Sequence, residues 1–135
     1  MLYPDSIFYF YFKLQPLVKF MMIAQKYQLI VLQPEGRLDL QGGKDLENQL
    51  TGLIPQQQDL WVIDLVNVDF IDSPGLLALV KVFQMVRNSG CRLVLCNLQT
   101  PVRLVFELTQ LDTVLEIFDN YEEILTKINY PVMAA

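Results

Sequence analysis

The hydroxyl of Ser73 stands where the apolar run Val68-Asp69-Phe70-Ile71-Asp72 gives way to Pro74-Gly75-Leu76-Leu77, and this junction concentrates the chain's chemistry. A helix beginning here presents unpaired N–H groups and partial positive charge. Those groups receive either the serine's own oxygen or a phosphate attached to it. Ser73 reads as a helix N-cap followed by Pro74 at the first helical position, a cap worth about 1 kcal/mol. It reads also as a switch. Phosphorylation adds roughly −1.5 to −2 charges at a terminus that tolerates anions, while Asp72 and any acidic partner surface are repelled. The switch reading predicts a fold retained and a partner lost.

Other reactive groupings are sparse. The chain has no histidine, the commonest general base, proton shuttle and metal ligand. It carries neither a phosphate-binding loop with its lysine nor a strand-following G-x-G-x-x-G, and Ser73 lies outside any G-x-S-x-G elbow. No enzyme and no cofactor are expected, with a phosphoryl carrier or nucleotide-hydrolysing enzyme as the alternative of a different class. Asp39, Asp69 and Asp72 gather near one end of the expected sheet, either as a divalent-cation site or as solvated strand-end caps; the caps are preferred and no metal is assigned. A formal charge of −5 argues against nucleic acid as a partner and points to proteins. Cys91 and Cys96 lie on one probable strand, on opposite faces and roughly 16 Å apart, so they cannot bridge and read as buried thiols of a reducing cytoplasm.

The elements that position Ser73 follow from periodicity. A mixed stretch at 18–25 and the run Tyr27–Leu32 predict two strands, after which Pro34 and Gly36 disturb the ladder. Gly36-Arg37-Leu38-Asp39 leads into a helix whose Leu46, Leu50 and Leu53 form one stripe; Gly42 and Gly43 weaken its first turn and Pro55 stops it. Leu60–Val66, nearly all apolar, predicts a central strand. Leu76–Asn88 is a helix apolar almost all round, with Lys81, Gln84 and Asn88 as a solvent stripe flanked by Leu77, Val82 and Met85. That helix is either simply buried on a sheet or also docks a partner. Cys91–Cys96 follows as a strand, then a helix with Thr100 as N-cap and Pro101 at its first position, a strand at 114–118 and a closing helix at 121–128. The alternation predicts an α/β fold of one domain: a single mixed, mostly parallel sheet of about four to five strands, carrying about four helices, with an antiparallel first strand.

Residues 1–20 differ from the rest. Ile7–Phe12 is a dense aromatic run, too short for a membrane span and ended by Lys13, and Asp5 stands where a secretory signal carries positive charge. Either these residues are an upstream reading-frame artefact, with the start at Met21 or Met22, or they form a real extension prone to association or strand docking. The domain proper is expected over 21–135.

Three motifs together resemble the STAS domain of bacterial anti-sigma factor antagonists: Gly36-Arg37-Leu38-Asp39, Val68–Leu76 with its D-S-x-G-L core, and Val105-Phe106-Glu107-Leu108-Thr109-Gln110-Leu111. The similarity runs from about Met22 to Ile128. It implies a cytoplasmic protein-binding switch, monomeric or weakly dimeric. Its unphosphorylated form would bind an anti-sigma factor that is also a serine kinase, and a PP2C-type phosphatase would restore that form. By position, the resemblance makes Ser73 the phosphoacceptor flanked by Asp39 and Asp72. Pro74, Gly75, Leu77, Lys81, Gln84 and Met85 would complete the partner face. A STAS scaffold subunit of a stressosome-like or lipid-transport assembly is the competing binding-module reading. Two positions depart from the family's pattern. Pro74 replaces a serine or threonine and so removes an N–H and a hydroxyl, and Gln110 stands where glycine is common.

Overall fold

Leu60-Trp61-Val62-Ile63-Asp64 is buried at every position, as expected of a strand covered on both faces. A computed structural model describes the backbone of residues 12–15, 18–23, 27–53 and 60–129, and side chains over 30–53 and 60–127. In the main sheet the strand order is β1 (Phe12–Gln15), β2 (Val18–Ile23), β3 (Tyr27–Leu32), β5 (Leu60–Asp64), β7 (Arg92–Cys96), β8 (Glu116–Phe118). The β1–β2 and β2–β3 pairings are antiparallel, and β3, β5, β7 and β8 run parallel. The mixed, mostly parallel sheet is thus present, with six strands among the described residues. A separate parallel pair, β4 (Gly36–Leu38) and β6 (Val68–Ile71), follows β3 and β5 in the chain. Of the aromatic run only Phe12 lies within the described residues, and Pro55 lies outside them.

Among the described residues four α-helices follow their strands: α1 (Leu40–Leu53), α2 (Ser73–Asn88), α3 (Thr100–Leu108) and α4 (Tyr121–Ile124). Period-two alternation in the strands splits the core. Ile30, Leu32, Trp61, Ile63, Leu93 and Leu95 pack with Leu46 and Leu50 of α1, Leu79, Val82 and Val86 of α2, and Phe106 of α3. Val31, Leu60, Val62, Val94 and Cys96 face the other way, onto Ile124 of α4. Each fully buried aliphatic side chain contributes roughly 1.5–3 kcal/mol of transfer free energy, so both faces of the sheet are held. Neither cysteine is in a disulfide, and the two are buried in opposite clusters, as the strand geometry requires.

Several local expectations are corrected. Val82 is fully buried and does not flank the solvent stripe, because the core-facing arc of α2 includes it with Leu79 and Val86. The helix at 100 starts from Gln99, without a side-chain cap, and Thr100 is already helical. The last strand begins at Glu116, since Leu111–Thr113 form a 3₁₀ turn. The closing helix has four α-helical residues and then widens into a π-turn at Leu125–Asn129.

Candidate functional site

Two βα junctions of the same design are juxtaposed at the ends of β4 and β6. In Asp39-Leu40-Gln41-Gly42 the Asp39 Oδ1 accepts from the Gly42 N–H at 3.0 Å; in Asp72-Ser73-Pro74-Gly75 the Asp72 Oδ1 accepts from the Gly75 N–H at 3.0 Å. Each aspartate satisfies an orphan donor of its helix, and the Leu76 N–H closes the first turn of α2 on the Asp72 carbonyl at 2.8 Å. Asp72, not Ser73, is therefore the N-cap of α2. Pro74, the second helical residue, has no N–H to offer, so the Asp72 carboxylate caps the third, Gly75. Ser73 becomes the first helical residue, exposed, with its hydroxyl outside the cap.

Glycine sets the distance between these junctions. A Cβ on Gly75 would stand 1.7 Å from the Leu38 carbonyl oxygen, and one on Gly43 would stand 2.5 Å from Ala78 Cβ. Gly43 is thus the point at which α1 and α2 cross, where the sequence suggested only a weak first turn. Downstream the same pair of helices is tied by Lys81 Nζ to Glu47 Oε2 at 2.8 Å. The Asp72 N–H reaches the Leu38 carbonyl at 3.3 Å, so the start of α2 is fixed to the end of β4. On the strand pair itself, the Arg37 guanidinium lies 3.8 Å from the centroid of the Phe70 ring and 3.7 Å from Asp39 Oδ2. The Gly42 hydrogen bond, with Arg37 nearby, holds the Asp39 carboxyl below its ordinary value.

The residues singled out in the sequence divide into three groups. Ser73, Pro74, Leu77, Lys81 and Gln84 are exposed along one side of α2, Leu77 at 69%. Asp39, Asp72 and Met85 are half-buried beside them. Gly75 is buried against Leu38, so its part is to place the surface. Leu40 occupies in α1 the position Ser73 holds in α2 and is 61% exposed, an apolar neighbour that sequence reading missed. The repeated D-x-x-G was the signal that could have found it. Asp69 is exposed on β6, and among the described residues no group of three or more His, Cys, Asp or Glu side chains is placed to hold a metal ion.

Asp64 was also missed. It is 1% exposed at the end of β5, and its carboxylate accepts four hydrogen bonds. Gln33 Nε2 at 2.8 Å and the Tyr121 hydroxyl at 2.6 Å reach Oδ2; the Val66 N–H at 3.0 Å and Asn97 Nδ2 at 3.1 Å reach Oδ1. Gln99 Nε2 adds a bond to the Val66 carbonyl at 2.6 Å. This network fixes the β5–β6 turn, and through β6 the position of Ser73, to β7 and α4. Beside it Cys96 is buried, and burial together with the Asp64 charge pushes its thiol up to about 12.

Comparison with known proteins agrees with this architecture. The model of the family described as STAS domain matches residues 21–124. The anti-sigma-B factor antagonist of Bacillus subtilis (strain 168) is 33% identical over 95 residues, covering 70% of this chain and 86% of that protein. The structure of the anti-sigma factor antagonist SpoIIAA in its unphosphorylated form superposes with a TM-score of 0.60 at 19% identity, covering 87% of this chain and 97% of that one. A sulfate transporter family protein from Wolinella succinogenes shares the fold, with a TM-score of 0.68 at 17% identity over 78% of this chain and 88% of that one. With three motifs in place, the paired junctions formed and the family model spanning 21–124, the chain belongs to the STAS domain family.

Proposed function

We propose that this chain is an anti-sigma factor antagonist, a cytoplasmic protein-binding switch and not an enzyme. In the unphosphorylated form it binds an anti-sigma factor that is also a serine kinase. The kinase transfers the γ-phosphoryl group of ATP to the Ser73 oxygen, and a PP2C-type phosphatase removes it. The observation that carries this reading is the exposed Ser73 at the start of α2, with Asp72 providing the cap in its place. A serine free of cap duty is open to a kinase, and modifying it leaves the Asp72–Gly75 bond intact. The name borne by the Bacillus subtilis relative supports the same assignment.

Electrostatics explains how modification would act. The phosphate adds roughly −1.5 to −2 charges beside Asp72 and near Asp39, so the face turns strongly acidic, while the helix N-terminus limits the destabilisation. Docking uses the exposed side of α2, with Ser73, Pro74, Leu77, Lys81, Gln84 and Met85, flanked by Asp39 and Asp72. Its apolar centre is Leu77, and Leu40, at the matching start of α1, is exposed as well. Affinity capture with the full chain, followed by phosphosite mapping after incubation with Mg-ATP, tests the reading. A co-purifying kinase that modifies Ser73 and spares a Ser73→Ala chain is the expected result. Modification confined to other residues would overturn it.

A further inference from the structure

We propose that the cleft at the far end of α2 binds a small amphipathic monocarboxylate. The cavity has a volume of about 290 Å³ and opens between the last turn of α2, the start of β7 and β8. Its apolar wall comes from Phe83, Leu93 and Val114; Arg87, Arg92 and Glu116 supply its charges. Val114 is 52% exposed at the mouth, an apolar side chain left in solvent beside the opening.

The charges define the headgroup. Arg92 is committed, donating from Nε to Glu116 Oε1 at 2.8 Å and from Nη2 to Glu116 Oε2 at 2.6 Å in a bidentate pair. Arg87 has no ion-pair partner among the described residues, so the lining carries one net positive charge at an exposed guanidinium. A single carboxylate matches that charge and the planar fork of arginine. The volume defines the body. At roughly 30 Å³ per water-sized atom the cleft holds about ten heavy atoms, which suits a short acyl or aryl acid. α2 has sixteen residues, so its two ends lie roughly 24 Å apart and this cleft is remote from Ser73.

The test is a titration of the full chain with sodium octanoate, which has ten heavy atoms, followed by amide chemical shifts and by calorimetry. Octan-1-ol serves as the uncharged probe. Arg87→Gln and Val114→Trp change exposed side chains, and unchanged urea midpoints confirm that both variants fold. Saturable octanoate binding centred on Phe83 and Val114 is expected. Arg87→Gln should weaken it about tenfold, octan-1-ol should bind about tenfold more weakly, and Val114→Trp should abolish it by filling the cleft. Octan-1-ol binding as tightly as octanoate, an unaffected Arg87→Gln chain, or no saturation by about 10 mM would overturn the proposal.

Discussion

Gly75→Ala should be among the most damaging single-methyl additions in this chain. The new Cβ would meet the Leu38 carbonyl oxygen at 1.7 Å, its carbon at 2.6 Å and Ile71 Cγ1 at 3.2 Å. The first two obstacles are backbone, so no rotamer change relieves them. To bring the closest contact to 3.0 Å, the first turn of α2 must move about 1.3 Å away from β4, against a close-packed interior. Overpacking of this kind costs about 1–3 kcal/mol, and a backbone obstacle places it at the upper end, about 3 kcal/mol. The higher helix propensity of alanine offsets at most about 1 kcal/mol of that. The shift also lengthens the Asp72 N–H to Leu38 bond, now 3.3 Å, and displaces Ser73 relative to Asp39. Gly52→Ala is the matched control, because nothing lies within 4 Å of its added Cβ; it should stabilise by about 0.5–1 kcal/mol. Urea denaturation with unchanged slope reads both. A Gly75→Ala chain within about 0.5 kcal/mol of wild type would refute the claim that this glycine sets the junction spacing.

Further outcomes follow from the neighbouring groups. Asp64→Ala strands four donors around a buried site and should destabilise by about 3 kcal/mol in the same assay, with the Tyr121 ring environment changed in NMR spectra. Asp39 has a folded-state pKa below its ordinary value of 3.8. The unfolded chain therefore takes up that proton first as pH falls, so the contribution is full above about pH 4 and disappears as pH drops through the folded value. Comparing urea midpoints at acid and neutral pH should show a shallower acid loss in Asp39→Asn, which keeps a capping oxygen. The Cys96 thiol, raised to about 12, stays protonated in the native state, so thiol-reagent labelling of it at pH 8 should proceed only at the rate of unfolding. Because its unfolded value is near 9, stability is lost as pH rises above that value, and Cys96→Ala should flatten this alkaline limb.

What the sequence revealed, and what it hid, separates along physical lines. Leu46 and Leu50 on α1, and the wholly buried β5, were legible because burial is written in local periodicity. The cap was harder. Asp72 and Ser73 are adjacent and both cap helices well; the choice turns on which oxygen reaches the Gly75 N–H, a three-dimensional fact. Gly42 and Gly43 looked like a weakness in a helix, yet a side chain at Gly43 would collide with Ala78, thirty-five positions away in the chain. Asp64 looked like one polar residue in an apolar strand, since its side-chain partners Gln33, Asn97 and Tyr121 are distant in sequence. Gln110 is intelligible afterwards: it holds a φ of 62°, the left-handed region that favours glycine.

Under the proposed function, charge at Ser73 switches partner binding without altering the fold. Its most direct test is calorimetric titration of the captured anti-sigma factor kinase against the wild-type chain and against Ser73→Asp. Equal urea midpoints for the two chains and at least about 100-fold weaker binding by Ser73→Asp, or roughly 2.7 kcal/mol, are expected. A Ser73→Asp chain that binds the kinase as tightly as wild type would contradict it.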